Sequence, residues 1–316
     1  MKILLTGANG FAGRAMRRFL CAAGHDCISV TREVEALPGG GITHAIGDIS
    51  SHADWRPLLT GVDVVIHLAG RAHVLGEQRD NVQGLFDSVN VDGTVNLAQQ
   101  AVSAGIKRFV YVSSIGVHGA STHEVQVNEL SPLKPYSPYT ISKLRAEQEL
   151  QALAGASPME WVIVRPPLIY AADAPGNFRQ LLRLVASGVP LPLSGVKNLR
   201  SMVALDNFVD FLGVCCVHPN AAGQTFVVCD GHDVSTPEIV EHLSAGMKRK
   251  ARIFWFPERL ISAGATLIGR RHTYMQLFGS LRIDASKAGE CLGWQPVIAT
   301  PDALAEAGRV FMETAT

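Results

Sequence analysis

Two residues four apart, Tyr139 and Lys143 in Tyr139-Thr140-Ile141-Ser142-Lys143, carry the clearest signal of chemistry in this chain. On a helix that spacing is about one turn, so both side chains share a face. A cationic lysine beside a phenol favours the phenolate and lowers the tyrosine pKa from its usual ~10. Such a tyrosine can give or take the proton of a carbinol while a hydride moves to or from the same carbon. A bare Tyr-x-x-x-Lys occurs on many helices, so its setting matters. It opens a helix just after Pro135-Tyr136-Ser137-Pro138, and it follows a buried strand that runs into Ser113-Ser114. In a parallel sheet that strand end and that helix start meet. Ser114 is then the serine placed to hydrogen-bond the reacting oxygen beside Tyr139.

A second stretch is built to hold an anion. Lys2-Ile3-Leu4-Leu5-Thr6-Gly7-Ala8-Asn9-Gly10-Phe11-Ala12-Gly13 is an apolar run that meets glycines at 7, 10 and 13 and continues into an amphipathic segment. It reads as strand, tight turn, helix. Gly7 permits the turn, Gly10 lets a pyrophosphate approach the backbone, and Gly13 lets the helix pack close to the strand. The free N–H groups and positive end of the new helix complete an anion site. A second strand at 26–31 follows, giving a βαβ unit of dinucleotide-binding length. That strand ends Val30-Thr31-Arg32, with no carboxylate where a free ribose 2′-hydroxyl would be met. A guanidinium there can pair with a 2′-phosphate, which favours NADP(H), while nearby Glu33 keeps NAD(H) open.

The elements that must position these residues follow from periodicity. Strands read at 26–31, 43–46, 62–70 with its loop, 108–113 and 161–165, alternating with helical patterns at 55–59, 85–104 and 139–154. The expected fold class is α/β, a Rossmann-type doubly wound parallel sheet covered on both faces, with ligands outside the carboxyl ends of its strands. Residues 1–165 form this dinucleotide-binding domain, and 197–229 return to it through a strand at 223–229. Residues 166–316 are mostly a smaller C-terminal substrate-binding lobe. Prolines and glycines punctuate its beginning. Helices are expected at 178–186, 237–247, 258–268 and 302–313, with a short strand at 252–256.

Bulk properties exclude several classes. With 28 basic and 28 acidic side chains the formal charge is zero, so no nucleic-acid footprint is expected. The six cysteines (21, 27, 215, 216, 229, 291) form no Cys-x-x-Cys, so neither a metal site nor a disulfide framework is indicated. No apolar run reaches membrane-spanning length, and the start of the chain enters a strand directly, without a leader pattern. A cytoplasmic protein is expected.

The motifs together resemble the NAD-dependent epimerase/dehydratase family, extended short-chain dehydrogenase/reductases that act on nucleotide sugars. They are, in order, the 6–13 turn, Gly47-Asp48, His67-Leu68-Ala69-Gly70, Asn90-Val91-Asp92-Gly93-Thr94, Val112-Ser113-Ser114, Tyr139 to Lys143 and Arg165-Pro166-Pro167. The likeness continues through Ile283-Asp284-Ala285-Ser286-Lys287 and Leu292-Gly293-Trp294-Gln295-Pro296, so it spans nearly the whole chain. It implies that Gly7, Gly10, Phe11 and Gly13 hold the pyrophosphate and that Asp48 and Ile49 lie at the adenine. Leu68, Ala69 and Gly70 would line the ribose and nicotinamide, Lys143 would also bind the nicotinamide ribose, and Asn90 would stand behind the site as a contact or a packing amide. For a UDP-sugar, it implies a diphosphate contact from Asn177, an apolar wall for the base at Pro190-Leu191-Pro192-Leu193, and a diphosphate arginine at Arg200, with Arg282 as a further cation. A homodimer through the two long helices of the first half is usual for the family.

Departures narrow the reaction. The run after the serines, Ser114-Ile115-Gly116-Val117-His118-Gly119, lacks the carboxylates with which related dehydratases eliminate water. Many epimerases of the family carry a hydroxyl residue where Gly116 stands and a tyrosine where His118 stands. This run, with Gly279-Ser280-Leu281, resembles bacterial C4 reductases of UDP-4-keto-6-deoxy-N-acetylhexosamine, the UDP-N-acetylquinovosamine-forming enzymes of surface-polysaccharide synthesis. The expected activity is therefore NADP(H)-dependent reduction of a C4 ketone. A UDP-hexose or UDP-N-acetylhexosamine 4-epimerase with retained NAD is the alternative. A catalytically silent dinucleotide sensor is a third reading, against which the intact Tyr139–Lys143 pair weighs.

Overall fold

In a computed structural model, the structure describes residues 1–36, 43–72, 81–122, 125–257 and 279–314. The glycine-rich turn at 38–41 and the helix expected at 258–268 lie outside them.

Seven parallel strands form one sheet: β1 (Lys2–Thr6), β2 (Asp26–Thr31), β3 (His44–Ala45), β4 (Val64–His67), β5 (Arg108–Val112), β6 (Glu160–Arg165) and, much later in the chain, the strand Gln224–Val227. The order is β3-β2-β1-β4-β5-β6 followed by that late strand. The order in which successive strands are added reverses between β1 and β4, and the crevice there is where a doubly wound sheet binds ligands. Both faces are apolar because both are covered. Alternate residues face opposite cores: Ile3, Leu5, Val64, Ile66, Val110, Val162 and Val164 on one side, Leu4, Val65, Phe109, Tyr111 and Ile163 on the other.

The helices supplying those covers are α1 (Phe11–Ala22), α2 (Arg56–Leu59), α3 (Val82–Asp87), α4 (Gly93–Ser103) and α5 (Pro138–Gly155). Leu97, Ala98 and Ala101 of α4 pack beside Leu150 and Ala154 of α5, whereas Met16 and Leu20 of α1 meet the opposite face. The pattern at 85–104 reads as one helix, but a π-helical turn, Ser88–Asp92, separates α3 from α4. The extra residue turns Asn90 inward, where it is 1% exposed and makes side-chain hydrogen bonds to both sides. Gly93 follows because a Cβ there would stand 2.4 Å from Ile49 Cγ2. Such π-bulges recur at functional sites.

Beyond β6 come β7 (Leu168–Tyr170), α6 (Gly176–Ser187), β8 (Met202–Ala204), α7 (Leu205–Val217), β9 (the Gln224–Val227 strand), α8 (Thr236–Gly246), α9 (Ser286–Leu292) and α10 (Thr300–Thr314). β7 and β8 pair as a separate two-stranded parallel sheet. α7 has no polar stripe to announce it: Phe208, Phe211, Leu212, Cys215 and Cys216 are buried on nearly every side, packed on the α1 face of the main sheet. α6, α8 and α10 enclose a third core around Phe178, Leu182, Leu243 and Leu304. The strand expected at 252–256 is reduced to a single bridge, Leu191 to Ile253, leaving Phe254 and Trp255 exposed.

Candidate active site

The glycine turn is held by its own backbone. Gly7 adopts φ +67°, and a Cβ there would lie 3.0 Å from the Cα and N of Ala69. Gly10 N–H donates to the Gly7 carbonyl at 2.9 Å. A Cβ on Gly13 would approach that same carbonyl oxygen to 2.0 Å, so only glycine lets α1 start this close to β1. Gly10 caps α1 without a side-chain hydrogen bond, and Phe11 opens the helix while packing against two of the cores. Between this turn, β2 and the β4 loop lies a cavity of about 830 Å³, lined by Gly7, Gly10, Arg32, Asp48, Ile49, Leu68, Ala69 and Gly70 among others. A cavity of this size, with a side-chain-free glycine turn at one wall, fits a dinucleotide. Gly13, Phe11 and Lys143 do not line it; the first two shape the turn from behind.

At the β2 end the structure adds what Arg32 alone did not disclose. Its Nε meets Asp48 Oδ1 at 3.0 Å, both side chains being well exposed. Glu33 and Glu35 line the same cavity, and Asn9 Nδ2 donates to Glu35 Oε1 at 2.6 Å. A 2′-phosphate would therefore have to draw Arg32 from one carboxylate while facing two more.

Beneath the crevice runs a polar chain with a fixed direction. Thr94 Oγ1 donates to the Asn90 carbonyl at 2.7 Å, so its contact with His67 Nε2, at 3.0 Å, is one it accepts. His67 thus carries its proton on Nε2, and Nδ1 accepts from Thr6 Oγ1 at 2.7 Å; Thr6 in turn accepts from Ala69 N–H. The chain ties the β1 end to the Leu68–Gly70 loop and to the π-turn. Asn90 Oδ1 accepts from Arg71 N–H at 2.8 Å and its Nδ2 donates to Ser142 Oγ at 2.9 Å. It is a positioning amide behind the site, and Gly70 packs on it: a Cβ there would lie 3.0 Å from Asn90 Oδ1 and 3.2 Å from Lys143 Nζ.

α5 begins with a full capping arrangement. Ser137 accepts from Thr140 N–H, Thr140 Oγ1 accepts from Ser137 N–H, and Pro138 occupies the first turn. This fixes Tyr139 at the helix entrance, against the end of β5. Ser114 accepts from Gly116 N–H at 3.1 Å, leaving its own proton for the Tyr139 phenol, which its hydrogen bond draws downward in pKa. Burial wins, however, and holds Tyr139 up at about 12. Lys143 Nζ donates to the Val112 carbonyl at 2.9 Å and sits 4.8 Å above the Tyr111 ring. Burial brings Lys143 itself down to about 8, against the opposing charge of Glu147. Glu147 is in turn gripped by Arg165, Nε to Oε1 at 3.0 Å, in a pair from which water is excluded.

Gly116 and His118 have packing roles. A Cβ on Gly116 would meet Thr140 Cγ2 at 2.6 Å, so the capped start of α5 occupies the space a hydroxyl residue would need. His118 Nε2 accepts from Arg165 Nη1 at 2.9 Å and its Nδ1 faces the Ser131 carbonyl at 3.1 Å. Burial holds both imidazoles neutral, His67 down at about 3 and His118 at about 4. The unfolded chain protonates histidine near pH ~6.5. Each histidine's contribution is therefore present above that value and is lost as the medium acidifies towards the folded values. Stability should drop by up to about 1.4 kcal/mol per pH unit for each histidine between about pH 6.5 and 4. Urea midpoints measured across that range check this; a midpoint that stays constant refutes it.

The substrate-lobe residues divide. Arg200 lies in a chain that bridges both Val234 and Leu281; its Nη1 donates to the Gly279 carbonyl at 2.7 Å, and the guanidinium lies near Tyr136. Asn177 is the second residue of α6, half-buried. Leu193 is 7% exposed and packs in the third core. Arg282 spends its Nε on Asp233 Oδ2 at 3.0 Å. Sequence reasoning passed over Tyr136, Glu35 and the exposed Arg14–Asp173 ion pair, at 3.0 Å, that joins the first helix to the loop before α6. The one available signal was an aromatic residue directly before a helix cap. Among the described residues no group of three or more His, Cys, Asp or Glu is arranged for a metal, and no helix is long and apolar enough to cross a membrane.

Comparison with known proteins agrees with this geometry. The profile of the NAD dependent epimerase/dehydratase family matches residues 3–229. A UDP-glucose 4-epimerase of Vibrio cholerae is 35% identical over 317 residues, covering 98% of this chain and 95% of that protein. An N-acetyl-alpha-D-glucosaminyl-diphospho-ditrans,octacis-undecaprenol 4-epimerase of Escherichia coli O157:H7 is 28% identical over 252 residues, covering 78% of this chain and 73% of that one. The solved structure of MoeE5 in complex with UDP-glucose and NAD superposes with a TM-score of 0.78 at 22% identity, over 100% of both chains, a likeness of fold.

Proposed function

Because the chain belongs to the NAD-dependent epimerase/dehydratase family, we propose that it transfers hydride between a nicotinamide cofactor and C4 of the hexose in a UDP-sugar. The observation that carries this is the Tyr139–Ser114 pair at the carboxyl edge of β5, two strands along the sheet from β1 and its glycine turn. When bound, NAD supplies the hydride acceptor and donor. The residues of the chain do the rest. Tyr139 exchanges a proton with the C4 oxygen, Ser114 donates a hydrogen bond to that oxygen, and Lys143, fixed on the Val112 carbonyl, supports the site from below. Gly7, Gly10 and the open start of α1 receive the pyrophosphate, and Arg200 and Asn177 face the diphosphate of the substrate.

Within that chemistry the reading we adopt is reduction of the C4 ketone of a UDP-4-keto-6-deoxy-N-acetylhexosamine. A phenol held protonated by burial is ready to give its proton to a ketone oxygen, which is all a reductase asks of it. Epimerisation begins instead by taking a proton. Packing of Gly116 against Thr140 also supports this reading, since it leaves no room for the extra hydroxyl common in epimerases. The second reading, a UDP-hexose 4-epimerase with retained NAD, is favoured by the Arg32–Asp48 pair and the carboxylates around it, which suit a free ribose hydroxyl better than a 2′-phosphate.

Nicotinamide absorbance of the purified protein with enzymatically prepared UDP-4-keto-6-deoxy-N-acetylglucosamine separates the two. Loss of one reduced cofactor per sugar supports the reductase. No loss, with UDP-glucose and UDP-galactose interconverted without added cofactor, rejects it for the epimerase. The Asp48→Asn protein tests cofactor choice independently. Freeing Arg32 should raise the kcat/KM ratio of NADPH over NADH about fivefold. An unchanged ratio would show that Arg32 does not meet the 2′ position.

A further inference from the structure

Tyr136 precedes the cap of α5, a position whose side chain ordinarily folds back on the helix as an apolar staple. Here it does not. Its backbone N–H is taken by Thr140 Oγ1 at 3.0 Å, and the side chain remains 50% exposed. One edge of the ring leans over Gly116: Cε1 lies 3.5 Å from where a Cβ on that residue would stand, and Ser114 Oγ lies 3.4 Å from the same point. Tyr136, the hydroxyl of Ser114 and the Thr140 methyl therefore converge on the bare Cα of Gly116, with the Tyr136 ring edge beside the Ser114 hydroxyl. The ring lies near Tyr139 on one side and near the Arg200 guanidinium on the other. A ligand with its reacting carbon at Tyr139 and an anionic tail at Arg200 must pass along Tyr136.

We propose that Tyr136 is a substrate-contacting, specificity-determining residue that grips the hexose of the UDP-sugar between the reacting carbon and the diphosphate; this rests on the reading given under Proposed function. A pyranose offers a C–H-rich face and polar edges, and a tyrosine offers an aromatic face and a hydroxyl tip that match both. The absence of a side chain at Gly116 is what allows the ring to lean in.

The test uses NAD-loaded protein titrated calorimetrically with UDP, UDP-glucose and UDP-N-acetylglucosamine. Tyr136→Ala should weaken both UDP-sugars about tenfold, leaving UDP unchanged, because UDP has nothing for Tyr136 to grip. Tyr136→Phe, which keeps the ring if the alanine protein folds poorly, should change the ratio between glucose and N-acetylglucosamine derivatives. In turnover, the defect should appear in KM with kcat near wild type. Equal weakening of UDP and UDP-sugars, or no change in either variant, overturns the inference while the proposed function stands. Wild-type protein that binds neither UDP nor its sugars overturns the proposed function, and this inference with it.

Discussion

Replacing Tyr139 by phenylalanine should lower kcat by about a hundred- to ten-thousand-fold, the usual share of a positioned proton donor. The substitution removes one oxygen from a buried ring that keeps its packing against Phe86, so the fold and the glycine turn should be untouched. Cofactor affinity should then stay at the wild-type value, and loss confined to kcat would mark an interaction made in the transition state. Ser114→Ala should give a smaller loss in the same parameter, since Ser114 donates to the reacting oxygen without transferring its proton. Single-turnover absorbance at saturating cofactor measures both. Turnover of Tyr139→Phe at the wild-type rate would remove Tyr139 from the mechanism and leave the crevice without an acid.

Glu147→Ala should be the most destabilising single change near the site. Arg165 and Glu147 are 6% and 1% exposed, and the guanidinium makes two of its hydrogen bonds, from Nε and Nη2, to that carboxylate. Removing one partner of such a buried pair leaves an uncompensated charge, at a cost of about 3–5 kcal/mol. The same carboxylate raises the pKa of Lys143, which burial has already drawn down to about 8. Without Glu147 the lysine should lose its proton at lower pH, so any activity that survives should fall off on its alkaline side earlier than in the wild type. Urea denaturation and a kcat/KM profile together test the two effects. A stable protein with an unmoved alkaline limb would show that the pair supports neither fold nor lysine. Glu147→Gln should recover part of the stability, through the hydrogen bonds, and little of the pH profile.

How much of this could be read from the residues depends on how local the cause is. The glycines at 7, 10 and 13, the alternation of strands and helices, and Tyr139 one turn before Lys143 are all set by neighbours within a few positions. Chain stiffness and periodicity act over that range, so spacing alone conveys them. The reach of Arg32 to Asp48 was not legible, nor was the bond of Lys143 to the Val112 carbonyl. Both partners are distant in sequence, and each was selected by which elements the sheet order brought side by side. The π-turn escaped the helical pattern because it shifts the register by one residue to bury an amide. The membership of Leu193 in the third core was not legible either, because an apolar residue looks the same from either side of a layer. Tyr136 lay in plain view within a helix-start motif, but its importance comes from Gly116 and Arg200, one before it and one far after. Sequence by itself determined the family and the fold class, and it pointed to Tyr139 as the candidate acid. Only the tertiary structure decided which charges meet, because burial and long-range pairing, the terms that move a pKa or free an arginine, exist only once the chain is folded.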